Sequence, residues 1–282
     1  MPSFREKLLG HGGKRIMNGD IEFDFKGKNC VVAGGASGMG RSIALHLAAA
    51  GANVAIADLN FEGAEKVAEE IRSGGGRAAA YWMDATAWEN AEKAAAQVMD
   101  AFGEIHCLVN SIGIGAKAKE NESYQGTFER LIKVNLMGMF YSCSAFAEKM
   151  IETGNGGTIV NIASMSASIV PAKTRPGRGG EYGLIGYCSS KGAVKMMTKA
   201  IATLWAEYGI RANSVSPGYV DTPLTAEPHK NPETRKFLEE SVPIHRIAQP
   251  EEIATAVMFL LSNDSGYITG EDLLIDGGFT AR

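Results

Sequence analysis

Of the eight tyrosines in the chain, only Tyr187 is followed four positions later by a lysine, in Tyr187-Cys188-Ser189-Ser190-Lys191. On a helix, positions i and i+4 share a face, so phenol and ammonium would project into the same space. A tyrosine with its reference pKa near ~10 is a poor base at neutral pH. A neighbouring ammonium favours the phenolate and makes proton exchange with a substrate oxygen feasible. One such pair arises easily by chance, so its meaning depends on the rest of the chain.

A second cluster offers chemistry of a different kind. In AGGASGMGR, Gly34, Gly38 and Gly40 are spaced G-x-x-x-G-x-G. Glycines at the end of a strand let the chain turn tightly and bring backbone N–H groups near a pyrophosphate at the positive end of a helix. Asp58 follows 18 residues after Gly40, at the end of the next apolar run. A carboxylate there accepts hydrogen bonds from ribose hydroxyls and repels a 2′-phosphate, which favours NAD over NADP; it also suits the N-cap of a following helix. Arg41 is the nearest positive charge that argues for the phosphorylated cofactor.

The elements that must position these groups are legible as an alternation. NCVVAGG precedes GRSIALHLAAAG, ANVAIAD precedes FEGAEKVAEEIRSGG, and AAAYWMD precedes AWENAEKAAAQVMDAFG. HCLVNSIG precedes the long segment TFERLIKVNLMGMFYSCSAFAEKMIETG, and GTIVNIAS leads by way of a loose passage to YCSSKGAVKMMTKAIATLWAEYG. IRANSVSPG, a helix near PEEIATAVMFLLS and DLLID complete the series. Strands too apolar to alternate, separated by helices, form a parallel sheet covered on both faces. Seven of them with right-handed crossovers predict an α/β, doubly wound, Rossmann-type single domain over residues 21–282, preceded by a polar extension over 1–20.

Composition narrows the function. The formal charge of −4 gives no electrostatic case for nucleic acid. No stretch approaches the ~18 apolar residues of a membrane span, and charges interrupt the only apolar patch of MPSFREKLLGHGGKRIMNGD. A soluble cytoplasmic protein is the expectation. Cys30, Cys107, Cys143 and Cys188 form no CxxC pair and read as small hydrophobes. His11, His46, His106, His229 and His245 do not cluster with carboxylates at ligand spacing, so no metal is expected.

From about Asp24 to the C-terminus the sequence resembles the short-chain dehydrogenase/reductase family. AGGASGMG resembles its cofactor loop, with Ala33 where Thr is usual. Asp84 in WMDAT resembles the aspartate whose neighbourhood holds the adenine, and Asn110-Ser111-Ile112-Gly113 resembles the element after the fourth strand. Asn135 in KVNLMG, Ser164 in NIASMS and the Tyr187–Lys191 pair match the family's catalytic positions, and SPGYVDTP matches the loop near the nicotinamide.

The resemblance implies that Tyr187 exchanges a proton with the substrate oxygen while Ser164 hydrogen-bonds it; Ser166 is a rival for that place. Lys191 would hold the nicotinamide ribose and depress the Tyr187 pKa, and Asn135 would support Lys191 through a water. Implied cofactor contacts are Gly34, Ser37, Gly38, Met39, Gly40, Asp58, Leu59, Asp84, Ala85, Asn110, Gly113, Tyr187, Lys191, Pro217, Gly218, Val220 and Thr222. The cofactor would be NAD, the partner a small-molecule substrate, and the assembly a homotetramer. SMSASIV is similar to members acting on ketoses and polyols, which points to a sugar, polyol or other small polar hydroxy compound. A 3-oxoacyl-thioester reductase and a catalytically silent NAD(H) sensor remain as alternatives.

Two segments stand apart. Residues 222–245 are polar and Pro-punctuated, as a lid would be. Ser164 and Tyr187 lie 23 positions apart, more than the family usually leaves. The surplus, Pro171 to Gly186, is expected to bulge as a loop beside the pocket mouth, with Lys173, Arg175 and Arg178 as a basic lip against Glu181 alone.

Overall fold

The computed structural model describes residues 22–171, 178–226 and 230–282, with backbone alone over 178–181. The expected extension of residues 1–20 lies outside them, as do Lys173 and Arg175. Seven strands form one parallel sheet: β1 (Asn29–Ala33), β2 (Asn53–Asp58), β3 (Ala78–Trp82), β4 (Cys107–Asn110), β5 (Gly157–Ile162), β6 (Ile210–Pro217) and β7 (Asp272–Ile275). Their spatial order is β3-β2-β1-β4-β5-β6-β7. The order reverses between β1 and β4, which opens a crevice at the carboxyl ends of those two strands.

The side-chain period of two divides the sheet's apolar residues between two cores. Val32, Ile56, Val109, Val160 and Val215 point to one face. There they meet α1 (Gly38–Ala49), α2 (Phe61–Ser73) and α8 (Pro250–Leu261) through Ile43, Leu47, Ile71, Ile253 and Val257. Val31, Ala55, Leu108, Ile159 and Ala212 point to the other. They are covered by α3 (Trp88–Phe102), α5 (Gly138–Thr153) and α6 (Arg178–Leu204). Both faces are therefore dry, and the strands need no alternation in sequence. Between α3 and α5 lies α4 (Tyr124–Ile132).

Two expectations change. The long segment TFERLIKVNLMGMFYSCSAFAEKMIETG is not one α-helix, because a π-helical stretch, Lys133–Met137, separates α4 from α5. Asn135 lies in the middle of this stretch and is fully buried. The passage up to Gly186 is not all loop: α6 begins at Arg178, nine residues before Tyr187. The 222–245 segment contains a helix of its own, α7 (Pro232–Ser241), with Pro232 in its first turn and Asn231 Oδ1 accepting from Thr234 N at 3.0 Å. Among the described residues no helix is long and apolar enough to cross a membrane.

Candidate active site

The phosphate loop is built by backbone contacts that exclude side chains. Gly34 has φ +78° and donates its N–H to Ala57 O at 2.7 Å; a β-carbon there would stand 2.6 Å from Ser111 O. A β-carbon on Gly40 would overlap Gly34 O. The turn is thereby pressed between β2 and the start of the loop after β4. Gly38 opens α1, and Thr222 lies 3.5 Å from where its β-carbon would be. The α1 N-cap, Ser37, makes no capping bond with its side chain, and the first turn carries no acidic residue. Its leading N–H groups are thus available to an anion, so these residues fit a dinucleotide pyrophosphate.

Asp58 stands beside this loop. Its Oδ2 accepts from Ala36 N at 2.9 Å and its Oδ1 from Asn60 N at 2.8 Å. Arg41, the rival cation, is held by Glu70 in two bonds of 2.9 and 2.7 Å. Leu59 next to Asp58 is exposed, and Met39 packs on the core below the loop. Asp84 Oδ1 accepts from Thr86 N at 2.9 Å and Thr86 Oγ1 at 2.8 Å, and Ala85 is buried against Gly138. Across the crevice, β6 ends in Pro217. Gly218 follows it, and a β-carbon there would come within 2.8 Å of the Asp276 backbone. Val220 is buried and bridges to Ala248, and Thr225 Oγ1 donates to Val220 O at 2.6 Å.

The proton-handling residues converge from three elements. Ser164 follows β5 by two residues and is buried; its hydroxyl accepts from Ser166 N at 3.1 Å and is hydrogen-bonded to Tyr187. Ser166 is instead hydrogen-bonded to Cys188, so of the two rivals Ser164 is the one that faces the phenol. Lys191 Nζ lies 6.0 Å from the Tyr187 ring centroid and donates to Ile162 O at 2.8 Å. Asn135 accepts from Ile114 N at 2.8 Å and donates to Ile114 O at 3.1 Å and Ser190 Oγ at 3.2 Å. A β-carbon on Gly113 would stand 3.4 Å from both Asn135 Oδ1 and Lys191 Nζ, so the loop after β4 closes this cluster on its third side.

Burial dominates the electrostatics. It pushes the Tyr187 phenol above its ordinary range; the Ser164 hydrogen bond pulls back part of that, and Cys188 adds to it. Burial likewise lowers Lys191 to about 8. Desolvation is the largest effect on both groups, and the ammonium donates to the carbonyl of Ile162.

Sequence reasoning placed Asn110 among the cofactor contacts, but its side chain turns away from the crevice. Asn110 Nδ2 donates to Asn161 Oδ1 at 2.9 Å and Cys143 Sγ at 3.1 Å, and its Oδ1 accepts from Ser142 Oγ at 2.6 Å. Asn161 Nδ2 continues to Thr198 Oγ1 at 2.9 Å. This buried network ties β4, β5, α5 and α6 together. None of its partners, nor Ser190, which donates to Tyr187 O at 2.7 Å, has a local signal in sequence.

A family profile described as enoyl-(acyl carrier protein) reductase matches residues 34–280. Cyclohexanol dehydrogenase of Acinetobacter sp. is 38% identical over 260 residues, covering 92% of this chain and 97% of its own. D-threitol dehydrogenase of Mycolicibacterium smegmatis is 36% identical over 264 residues, covering 93% and 97%. A solved short-chain type dehydrogenase/reductase from Mycobacterium marinum superposes with a TM-score of 0.83 at 34% identity, over 93% of this chain and 98% of that one. The chain belongs to the short-chain dehydrogenase/reductase family. As a member it is an oxidoreductase of CH–OH groups that uses a nicotinamide cofactor. The reaction interconverts a secondary alcohol and a ketone.

Proposed function

We propose that this short-chain dehydrogenase/reductase is an NAD(H)-dependent dehydrogenase of a polyol, sugar or other small polar hydroxy compound. The observation that carries the reading is the hydrogen-bonded Ser164–Tyr187 pair at the end of β5, with Lys191 one turn further along the same helix. Tyr187 gives its proton to the substrate oxygen in reduction and takes it in oxidation, and Ser164 steadies the charge that develops on that oxygen. The nicotinamide, when bound, accepts or delivers the hydride. Tyr187 and Lys191 would hold its ribose, and the α1 N-terminus would hold the pyrophosphate. Asn135 keeps the loop of Gly113 and Ile114 in place beside Lys191.

The choice of NAD rests on Asp58, which faces the phosphate loop, while Arg41 is engaged by Glu70. A polyol is supported by the SMSASIV strand end and by the D-threitol dehydrogenase likeness. We also infer a homotetramer of the cytoplasm, in keeping with four cysteines that are all free thiols. Tyr187→Phe tests the chemistry: turnover should fall by about 10²–10⁴-fold while NADH binding, followed by fluorescence titration, stays within twofold. Full activity in that variant refutes the scheme. Asp58→Ala tests the cofactor and should reduce the kcat/KM preference for NAD over NADP by roughly 10- to 100-fold. An unaltered ratio would remove the basis for NAD.

A further inference from the structure

Asp272 opens β7 and its side chain is only 4% exposed. Its Oδ1 accepts from Ser214 Oγ at 2.7 Å and Ser216 Oγ at 2.8 Å, both on β6. Its Oδ2 lies 3.1 Å from Lys195 Nζ. A buried carboxylate is costly unless it is paired, so the 3.1 Å ion pair favours Lys195 in this position. From there the same ammonium donates to Ser168 Oγ at 2.8 Å.

Ser168 ends the turn that Ser164 begins. Ala167 N donates to Ser164 O at 2.8 Å and Ser168 N to Met165 O at 3.0 Å, around the single 3₁₀ turn Met165–Ala167. The sheet fixes the start of this turn, where Ala163 N donates to Val215 O at 2.8 Å. Its far end is tied to α6, the helix of Tyr187 and Lys191, by Lys195. We propose that Lys195, braced by Asp272, is a positioning residue that sets the Ser164 turn against the Tyr187 helix. The inference rests on the reading of Ser164 as the group that binds the substrate oxygen. It assigns a role to a side chain one helical turn beyond Lys191, outside the proton-handling set.

Ser168→Ala tests it cleanly, because Ser168 is exposed and the variant leaves the Lys195–Asp272 pair intact. Displacements of about an ångström at a reacting group cost up to about 100-fold in rate. Losing the tie at the turn's far end should therefore lower kcat roughly fivefold or more. Substrate KM and NADH Kd should stay within about twofold, with the melting temperature held, and Ser168→Thr should restore kcat. Lys195→Met alone strands the buried carboxylate, so Lys195→Met with Asp272→Asn is the companion: a recovered melting temperature with kcat still low supports the proposal. Wild-type kcat in Ser168→Ala, or equal losses in kcat, cofactor binding and melting temperature, overturns it. Ser164→Ala run alongside separates the two ideas. An active Ser164→Ala refutes the role of Ser164 and the positioning with it. An inactive Ser164→Ala beside a fully active Ser168→Ala refutes the positioning alone.

Discussion

Tyr187 and Lys191 are each harder to ionise here than in water, and for the same reason: both are desolvated. Lys191 makes this measurable. It titrates near 8 in the folded protein against ~10.4 in an unfolded chain. Between those values the unfolded state binds the additional proton, so this group makes stability rise with pH. Below pH 8 the fold carries a buried ammonium at a cost on the order of 3 kcal/mol, which disappears above ~10.4. Tyr187 works in the opposite sense but only above ~10, since its raised value preserves the folded protein's proton there. Lys191→Met removes the ammonium and should abolish turnover. Its melting temperature relative to wild type should be highest near pH 7 and decline steadily between pH 8 and 10. A difference that stays flat or grows over that window refutes the burial account. The identities and spacing of these residues were legible in sequence; their protonation was not, because burial is set by elements far apart in the chain.

At the scale of elements the unexpected one is the amino-terminal part of α6. Its glycines argue against a helix by propensity, each costing up to about 1 kcal/mol relative to alanine. Tertiary packing overrides that preference. Gly186 lies against Phe128 and Leu131 of α4, Tyr182 stacks on Tyr124 at 4.0 Å, and a β-carbon on Gly183 would overlap the Ala116 carbonyl oxygen. Gly183 therefore marks where helix and loop backbones touch, and Gly186 where two helices pack closely. Gly183→Ala should destabilise the protein by roughly 1–3 kcal/mol, reversing the usual gain from alanine in a helix. Gly192→Ala on the same helix, whose β-carbon would meet only Ala167 O at 3.7 Å, should be neutral or stabilise by up to about 1 kcal/mol. Thermal denaturation of both decides; equal effects would mean that the close approach carries no weight. The strands, the phosphate loop and most helices could be read from local pattern, since each element's own residues specify it. The start of α6, the π-helical stretch at Asn135 and the Asn110–Asn161–Thr198 network could not, because each is fixed by partners remote in sequence.

At the scale of the molecule, what the two dry cores leave outside is as informative as what they contain. Tyr124, Phe128, Phe140, Ile185, Met196 and Leu204 are large, apolar and exposed, and all lie on α4, α5 or α6. Ile185 and Met196 are eleven residues apart, three helical turns, so they share one side of α6. On the opposite side of that helix lie Lys191, bonded to the end of β5, and Val194 in the core. The Tyr124–Tyr182 stack locks α4 to α6, so the two helices present a joint surface. An apolar face of this kind marks an association site, and a stable one buries about 800 Å² per partner. In a homotetramer this face would be covered by a second copy, which would also clamp the helix that carries Tyr187 and Lys191. Light scattering should then give four times the 29.9 kDa chain mass. Ile185→Asp with Met196→Asp should yield smaller species, because two carboxylates would have to be desolvated at the contact. Their side chains point away from Tyr187, so any activity lost on dissociation would report the clamp and not a damaged site. A monomeric wild type would refute the assembly. A variant that remains tetrameric would move the contact to another face.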